Sequence, residues 1–355
     1  MTAPSTTTSP SKQPAAFLGN ADAAAVVNRL RACSNVLILT HTKPDGDAFG
    51  SCLALARALR RVGVTATPVL YPPLSNALRG LAETDEIVLA APEGPGQAMR
   101  GEPDCIVVVD TGSWSQLGPA AEFVRQRADQ TIIIDHHING NAEMASERLI
   151  DGAMPAACQI VADVVMRLLN VSSASALPTD VAEPIYLGIA TDTGWFRHPS
   201  VLPSTMRLAA DLLDAGVNQN ALYQRTEQSD RPQRLLLAQR ALNNLQYIAG
   251  GRAAVMVLRH TDFAESGANL DETGGLIDLP QAVGDVRVAA LLYEPEAGLT
   301  RISMRSKAGD HPVDVNMIAH SFGGGGHKHA AGARVAKPAS DVLPLLIKAI
   351  ESALA

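Results

Sequence analysis

The sequence predicts an α/β protein, with an N-terminal doubly wound, mainly parallel sheet joined by a helical linker to a smaller α/β C-terminal domain. Three observations carry this. Short, unbroken aliphatic runs such as Val36-Leu-Ile-Leu39 and Ile106-Val-Val-Val109 have the composition of strands covered on both faces. Helical stretches separate several of these runs, as a parallel sheet with crossover helices requires. Beyond residue 250 the pattern changes to turn-bounded strands that close on an amphipathic helix. A length of 355 residues is long for one core and comfortable for two domains. With 46% hydrophobic residues but only 4% aromatics, helices on aliphatic strands are favoured over an all-β protein.

Taken in order, residues 1–19 read as a flexible tail, rich in Ser, Thr and Pro and without the apolar core of a signal peptide. A helix is expected over 21–32 and a buried strand over 35–41. A polar loop containing glycine leads to an apolar-periodic helix over 48–62. Further strands are expected over 66–71, 87–90, 105–110 and 131–135, and residues 155–225 look largely helical. This makes 20–220 the first domain and 221–248 a helical linker, with its main helix over 231–248. After the turn signal Gly250-Gly251, strands are expected over 253–259, 286–293 and 300–305. A helix over 313–321 runs into Gly323-Gly-Gly-Gly326-His327, and an amphipathic helix over 340–354 ends the second domain, 249–355.

The net charge of −7 argues against a protein that grips long duplex DNA, because such binding needs a broad Lys/Arg surface. A short anionic partner is compatible with it if cations line one pocket. Cys33, Cys52, Cys105 and Cys158 are scattered, without a CxxC pair, and read as reduced, mostly buried residues rather than a disulfide framework or thiolate zinc site. No stretch has the length of a membrane span, and the expected location is cytoplasmic.

The chemistry is carried by Asp and His placed at the carboxyl ends of aliphatic strands. Four segments do this: His41-Thr-Lys-Pro-Asp45-Gly-Asp47, Asp110-Thr111, Asp135-His136-His137 and Thr191-Asp192-Thr193. In open α/β sheets, ligands bind outside those strand ends, so side chains distant in sequence converge there. A lone Asp after a strand is usually a helix cap or turn residue, and a histidine pair can be structural. Four such segments together change that balance. So many carboxylates and imidazoles in one crevice would need cations, and the absence of thiolates points to Mn²⁺, Mg²⁺ or Co²⁺ rather than structural zinc. Two cations about 3.5–4 Å apart could share a carboxylate and stabilise both attacking and leaving oxygens.

The stretch His41-x-x-Pro44-Asp45-x-Asp47-Ala48-x-Gly50-Ser51 resembles the first motif of the DHH family of phosphoesterases. Asp110-Thr111 resembles the second, Asp135-His136-His137 the triplet that names the family, and Thr191-Asp192-Thr193-Gly194-x-Phe196 the fourth. Gly323-Gly-Gly-Gly326-His327 with Ala330-Ala331-Gly332 resembles the DHH-associated C-terminal domain, so the likeness spans nearly everything after the tail. The resemblance implies that His41 and Asp45 hold one metal, that Asp47, His136 and Asp192 hold the other, and that Asp110 bridges the pair. It implies that Asp135 orients His136 and its neighbours, and that His137 faces the substrate phosphate. The two cations it implies are Mn²⁺, with Mg²⁺ or Co²⁺ as substitutes.

Four consecutive glycines let backbone N–H groups approach an anion, although a glycine run alone is more often a flexible loop. In this family the matching stretch binds the far end of the substrate, which implies Arg305, Ser306, Gly324, Gly325, Gly326 and His327 here. Lys307 and Lys328 read as solvent-facing charges, and Trp195 and Phe196 as packing residues ahead of a base-stacking platform. The expected chemistry is metal-assisted hydrolysis without a protein nucleophile. Among relatives with this domain pair and little else, the chain most resembles those that degrade very short RNAs to mononucleotides, some of which also remove the 3′-phosphate of adenosine 3′,5′-bisphosphate. Hydrolysis of cyclic or linear dinucleotides is the alternative, and an idle nucleotide- or RNA-binding protein on the same scaffold is another. The GGGGH segment points away from family II pyrophosphatases, which share the metal motifs. A homodimer is compatible with the sequence, though no motif specifies one.

Overall fold

The computed structural model describes residues 17–82, 86–90, 94–95, 101–309 and 312–355. The chain divides into two compact units, Met1–Ser229 and Asp230–Ala355. Most of the expected tail lies outside the described residues. Its end is anchored rather than free: Phe17 is buried against Gly112 and Gly140, where a Cβ on either glycine would collide with its ring.

The first unit is built on a fully parallel sheet. Its strands are β1 (Asn35–Leu39), β2 (Thr65–Leu70), β3 (Val88–Leu89), β4 (Cys105–Val109), β5 (Thr131–Asp135) and β6 (Glu147–Ile150). They lie in the order β3-β2-β1-β4-β5-β6. Alternate residues serve two cores. Val36 and Ile38 of β1 join one face with Phe49, Leu55 and Ile185, while Leu37 and Leu39 join the other with Ile106 and Val108. That two-sided burial is why these strands read as continuous aliphatic runs. β6 was not anticipated, because its half-buried residues at the sheet edge give no such run.

Nine helices accompany this sheet: α1 (Ala23–Arg31), α2 (Gly46–Arg61), α3 (Asn76–Arg79), α4 (Trp114–Leu117), α5 (Ala121–Arg125), α6 (Ala157–Leu168), α7 (Thr179–Asp192), α8 (Pro203–Asp214) and α9 (Gln219–Glu227), among the described residues. α2 and α7 pack closely because glycine lines their contact. A Cβ at Gly46 would lie 2.2 Å from Thr191 Oγ1, one at Gly50 would lie 2.2 Å from Pro184 O, and one at Gly188 would lie 2.8 Å from Asp47 Oδ1. Strand order reverses between β1 and β4, and the crevice outside those strand ends is where a doubly wound sheet places its ligand.

The second unit opens with α10 (Pro232–Asn243), which buries Leu237 and Ala241 against Met256 and Leu258. The expected helix over 231–248 stops at Asn243, and residues 246–248 form a strand instead. The strands are β7 (Gln246–Ile248), β8 (Ala253–Leu258), β9 (Val288–Glu296), β10 (Leu299–Ser306), β11 (Gly325–His327) and β12 (Ala330–Val335). They form a mixed sheet in the order β11-β12-β10-β9-β8-β7, in which only β8 and β9 run parallel. α11 (His260–Ser266), α12 (Val315–His320) and α13 (Ala339–Leu354) complete this unit. Among the described residues, no helix is long and apolar enough to cross a membrane.

Candidate metal centre

Each acidic and imidazole residue named from the sequence motifs sits where a strand or helix of the first unit ends. His41 follows β1, Asp110 follows β4, Asp135 closes β5, and His136 and His137 come directly after it. Asp45 and Asp47 open α2, and Asp192 closes α7. Their ligand atoms form three overlapping groups, each within 4.8 Å: His41, Asp45 and Asp110; Asp47, His136 and Asp192; and Asp110, Asp135, His136 and His137.

Asp110 is the hub. Its Oδ2 lies 3.4 Å from His41 Nε2 and its Oδ1 lies 3.4 Å from His136 Nε2, so each carboxylate oxygen faces a different imidazole. The residue is buried and adopts φ 60°, a region that L side chains rarely enter. Lys43, two residues after His41, and Trp195 and Phe196, shortly after Asp192, share that left-handed backbone, as do Asn170 and Ala249 elsewhere. His136 Nε2 is also 3.6 Å from Asp192 Oδ2 and 4.0 Å from Asp47 Oδ2, and His41 Nε2 is 3.9 Å from Asp45 Oδ1.

The ring orientations have identifiable causes. His41 Nδ1 is 3.0 Å from Thr42 O, and His136 Nδ1 is 3.2 Å from Met154 O. Carbonyl partners accept from Nδ1–H, which leaves both Nε2 atoms unprotonated lone-pair donors once a cation is present. The carbonyl of Met154 therefore orients His136, a role the sequence reading gave to Asp135. Asp135 is fully buried and turns to His137 instead: its Oδ1 accepts from the His137 backbone N–H at 3.1 Å and pairs with Nδ1 at 2.8 Å.

Asp45 is a helix cap that also faces His41. Its Oδ1 caps α2 by accepting from the N–H groups of Asp47 and Ala48, while the side chain stays 60% exposed beside His41. Asp47 is held by a third element that sequence reasoning missed. The first N–H groups of α6, from Ala157 and Cys158, donate to Asp47 Oδ2 at 2.6 Å and Oδ1 at 2.8 Å. A helix N-terminus aimed at a carboxylate from another helix has no signature in a linear pattern.

The electrostatics of the metal-free protein follow from this crowding. Burial pushes Asp47 well above the usual carboxylate range, and Asp110 and Asp192 add to it. Burial likewise raises Asp192 to about 6, with His136 opposing and Asp110 assisting. Burial also works against charge on His41 and His136, but Asp110 and the surrounding acceptors outweigh it and raise both to about 9. Asp110 itself is disfavoured by burial yet held below its ordinary value by His136 and His41. His137 is raised, chiefly by its bond to Asp135.

The donor set fits divalent cations. Among the described residues no Lys or Arg pairs with these carboxylates, whose ionic neighbours are all histidines. Asp110 Oδ1 and Asp135 Oδ2 are buried without a hydrogen-bond partner. Leaving such groups unsatisfied is costly, and a hard or borderline cation with oxygen and imidazole ligands removes that cost.

In the second unit the sheet register sets Arg305, Ala330 and His327 side by side across β10, β12 and β11, with small Ala330 between the two longer side chains. Ser306 alternates to the buried face, where its hydroxyl donates to Val313 O at 2.7 Å and meets His329 Nδ1 at 2.9 Å. Two of the glycines are demanded by the sheet itself. A Cβ at Gly324 would lie 2.1 Å from Gly332 O, and one at Gly326 would lie 2.5 Å from Ala330 O. Gly325 and His327 belong to strand β11, where a loop was expected.

Comparison with known proteins agrees with this layout. The model for the DHH family, N-terminal domain, matches residues 35–189, and the model for the DHHA1 domain matches residues 250–355. The chain is 33% identical over 300 residues to the bifunctional oligoribonuclease and PAP phosphatase NrnA of Thermus thermophilus, covering 84% of this chain and 83% of that one. It is 25% identical over 309 residues to a probable bifunctional oligoribonuclease and PAP phosphatase NrnA of Streptococcus mutans, covering 87% and 92%. An exopolyphosphatase-related protein from Bacteroides fragilis has the same fold, with a TM-score of 0.82 at 21% identity over 94% of this chain and 99% of that chain.

Proposed function

The chain belongs to the DHH family of phosphoesterases, and on that premise we propose that it hydrolyses short oligoribonucleotides to mononucleotides, with adenosine 3′,5′-bisphosphate as a second substrate. The observation that carries this reading is the posture of Asp110, whose two oxygens each face a different histidine and so suit a bridge between two cations. We assign His41 and Asp45 to one cation and Asp47, His136 and Asp192 to the other, with Mn²⁺ as the native metal. When bound, the cations supply the charge that polarises the phosphoryl oxygens and acidifies the attacking water.

The chain's own residues supply the rest. Thr42 and Met154 fix the rings of His41 and His136, so the centre keeps its geometry without reorganisation. His137, anchored at Nδ1 by Asp135 and 52% exposed, holds a proton at Nε2 for a phosphoryl or departing oxygen. We assign Arg305, His327 and the backbone of Gly324, Gly325 and Gly326 to an anionic group of the substrate. Ser306 supports them by fixing the chain at Val313 and His329. A net charge of −7 suits short substrates over long duplexes, and four free cysteines suit a cytoplasmic setting.

The test is hydrolysis with Mn²⁺ of an RNA series from dimers to long strands, adenosine 3′,5′-bisphosphate and cyclic di-AMP. Rapid mononucleotide release from the shortest RNAs, with long strands resisted, is expected. Asp110→Asn should lower that rate by more than about 10²-fold and reduce bound metal, since even residues that merely support ligands contribute about 10–100-fold. Activity confined to cyclic di-AMP, or undiminished hydrolysis by Asp110→Asn, would overturn the proposal.

A further inference from the structure

The turn that follows α7 supplies no residue to the clustered acidic and imidazole groups, yet it is costly to build. Gly194, Trp195 and Phe196 take φ values of 56°, 58° and 63° in succession. Glycine enters that region freely, whereas a bulky side chain there is strained and persists only where its surroundings over-determine it. The two aromatic side chains have different neighbours. Phe196 packs edge-on to buried Tyr186, with ring centroids 5.8 Å apart, and belongs to the core. Trp195 meets Tyr223 of α9 edge-to-face, with centroids 4.8 Å apart, and its Nε1–H donates to Glu227 Oε1 at 3.0 Å.

Tyr223 is 38% exposed and Trp195 is half-buried, so this aromatic pair reaches solvent. The one polar atom of the indole is already satisfied by Glu227, and what the ring offers a ligand is π surface. Trp195 stands three residues beyond Asp192, so chain length alone keeps their Cα atoms within roughly 11 Å. That bound is compatible with a single bound nucleotide contacting both.

We propose that Trp195, backed by Tyr223, is a stacking platform for one nucleobase of the substrate whose phosphate lies at the metal centre. The proposal rests on the phosphoesterase reading above. Stacking of a base on an aromatic ring changes affinity by roughly 5- to 150-fold and tolerates any base, because every base has a π face. It would give the enzyme affinity for short RNA without a sequence preference.

Two measurements test it. Trp114→Phe leaves Trp195 as the sole tryptophan of two, and adenosine 5′-monophosphate should quench its fluorescence in Mg²⁺ while ribose 5-phosphate does not. Trp195→Leu should raise KM for a diadenosine dinucleotide by roughly 5- to 150-fold and leave kcat within about twofold. The same variant should be silent on one of the two singly abasic analogues of that dinucleotide. Trp195→Phe, which keeps the aromatic face at the same backbone angle, should restore most of the loss. If Trp195→Leu does not fold, as judged by circular dichroism, Tyr223→Leu takes its place with the same expectation. Equal losses on intact and both abasic substrates, or no quench by the mononucleotide, would overturn the platform. A protein that hydrolyses no short RNA but still shows the quench would overturn the substrate reading and leave the platform standing.

Discussion

At the scale of single residues, the centre stores protons where cations belong. In the metal-free protein His41 and His136 are raised to about 9 and Asp192 to about 6. A group whose folded pKa lies above its unfolded value stabilises the fold fully below the unfolded value, and that contribution is lost as pH rises through the folded one. For the histidines the window runs from 6.5 to about 9, and for Asp192 from 3.8 to about 6. Asp110, lowered from 3.8, has the opposite sign but acts only in acid. The metal-free first unit should therefore lose thermal stability between pH 7 and pH 9. Cations compete with those same protons, so the gain in Tm on adding Mn²⁺ should widen over the same interval. Scanning fluorimetry with and without chelator tests this, and parallel Tm curves would refute it. At this scale the sequence was most legible for which acidic and imidazole residues cluster, since the motif residues gather as three groups. It was least legible for their supports, because Met154 O and the N–H groups of Ala157 and Cys158 act through backbone atoms that every residue carries.

At the scale of elements, the centre depends on how closely α2 and α7 approach, because Asp47 and Asp192 ride on them. Gly188 of α7 packs against both α6 and α2: a Cβ there would lie 2.1 Å from Cys158 Sγ and 2.8 Å from Asp47 Oδ1. Gly188→Ala should cost about 1–3 kcal/mol as overpacking, and it should weaken metal binding by pushing on Asp47. Cys158→Ala removes the nearer obstacle, so the double variant should recover stability beyond additivity. Denaturant melts of the four proteins check this, and strict additivity would show that the glycine is not in steric contact with Cys158. The elements themselves follow from periodicity where both faces are buried. They escape it where a strand is short and half-exposed, as β6 is, or glycine-rich, as β11 is.

At the scale of the molecule, the chain carries separate cores in its two units. One set gathers around the parallel sheet, with Phe49, Leu55 and Ile185 on one face and Ile106 and Val108 on the other. The other gathers around the mixed sheet, with Val255, Leu292 and Leu346 on one face and Met256, Leu258 and Leu291 on the other. Units with their own cores can melt independently, and a ligand stabilises only the unit that binds it. Calorimetry should resolve two transitions, of which Mn²⁺ raises one and leaves the other unmoved. A single transition that shifts as a whole would show that the two units unfold together.

The sequence by itself determined the fold class, the strands and helices whose faces are well buried, and the identity of the acidic and imidazole residues at the strand ends. Those are local properties: periodicity, turn chemistry and side-chain type are present in any window of the chain. Only the tertiary structure decided how the two oxygens of Asp110 divide between His41 and His136, that Asp135 serves His137 while a carbonyl serves His136, and that α6 aims its N-terminus at Asp47. It also decided that Gly324 and Gly326 are required by their close approach to β12 and that the Ser306 hydroxyl turns inward. These facts depend on distances between segments far apart in the chain, and such distances are set by packing rather than by any residue's own preferences.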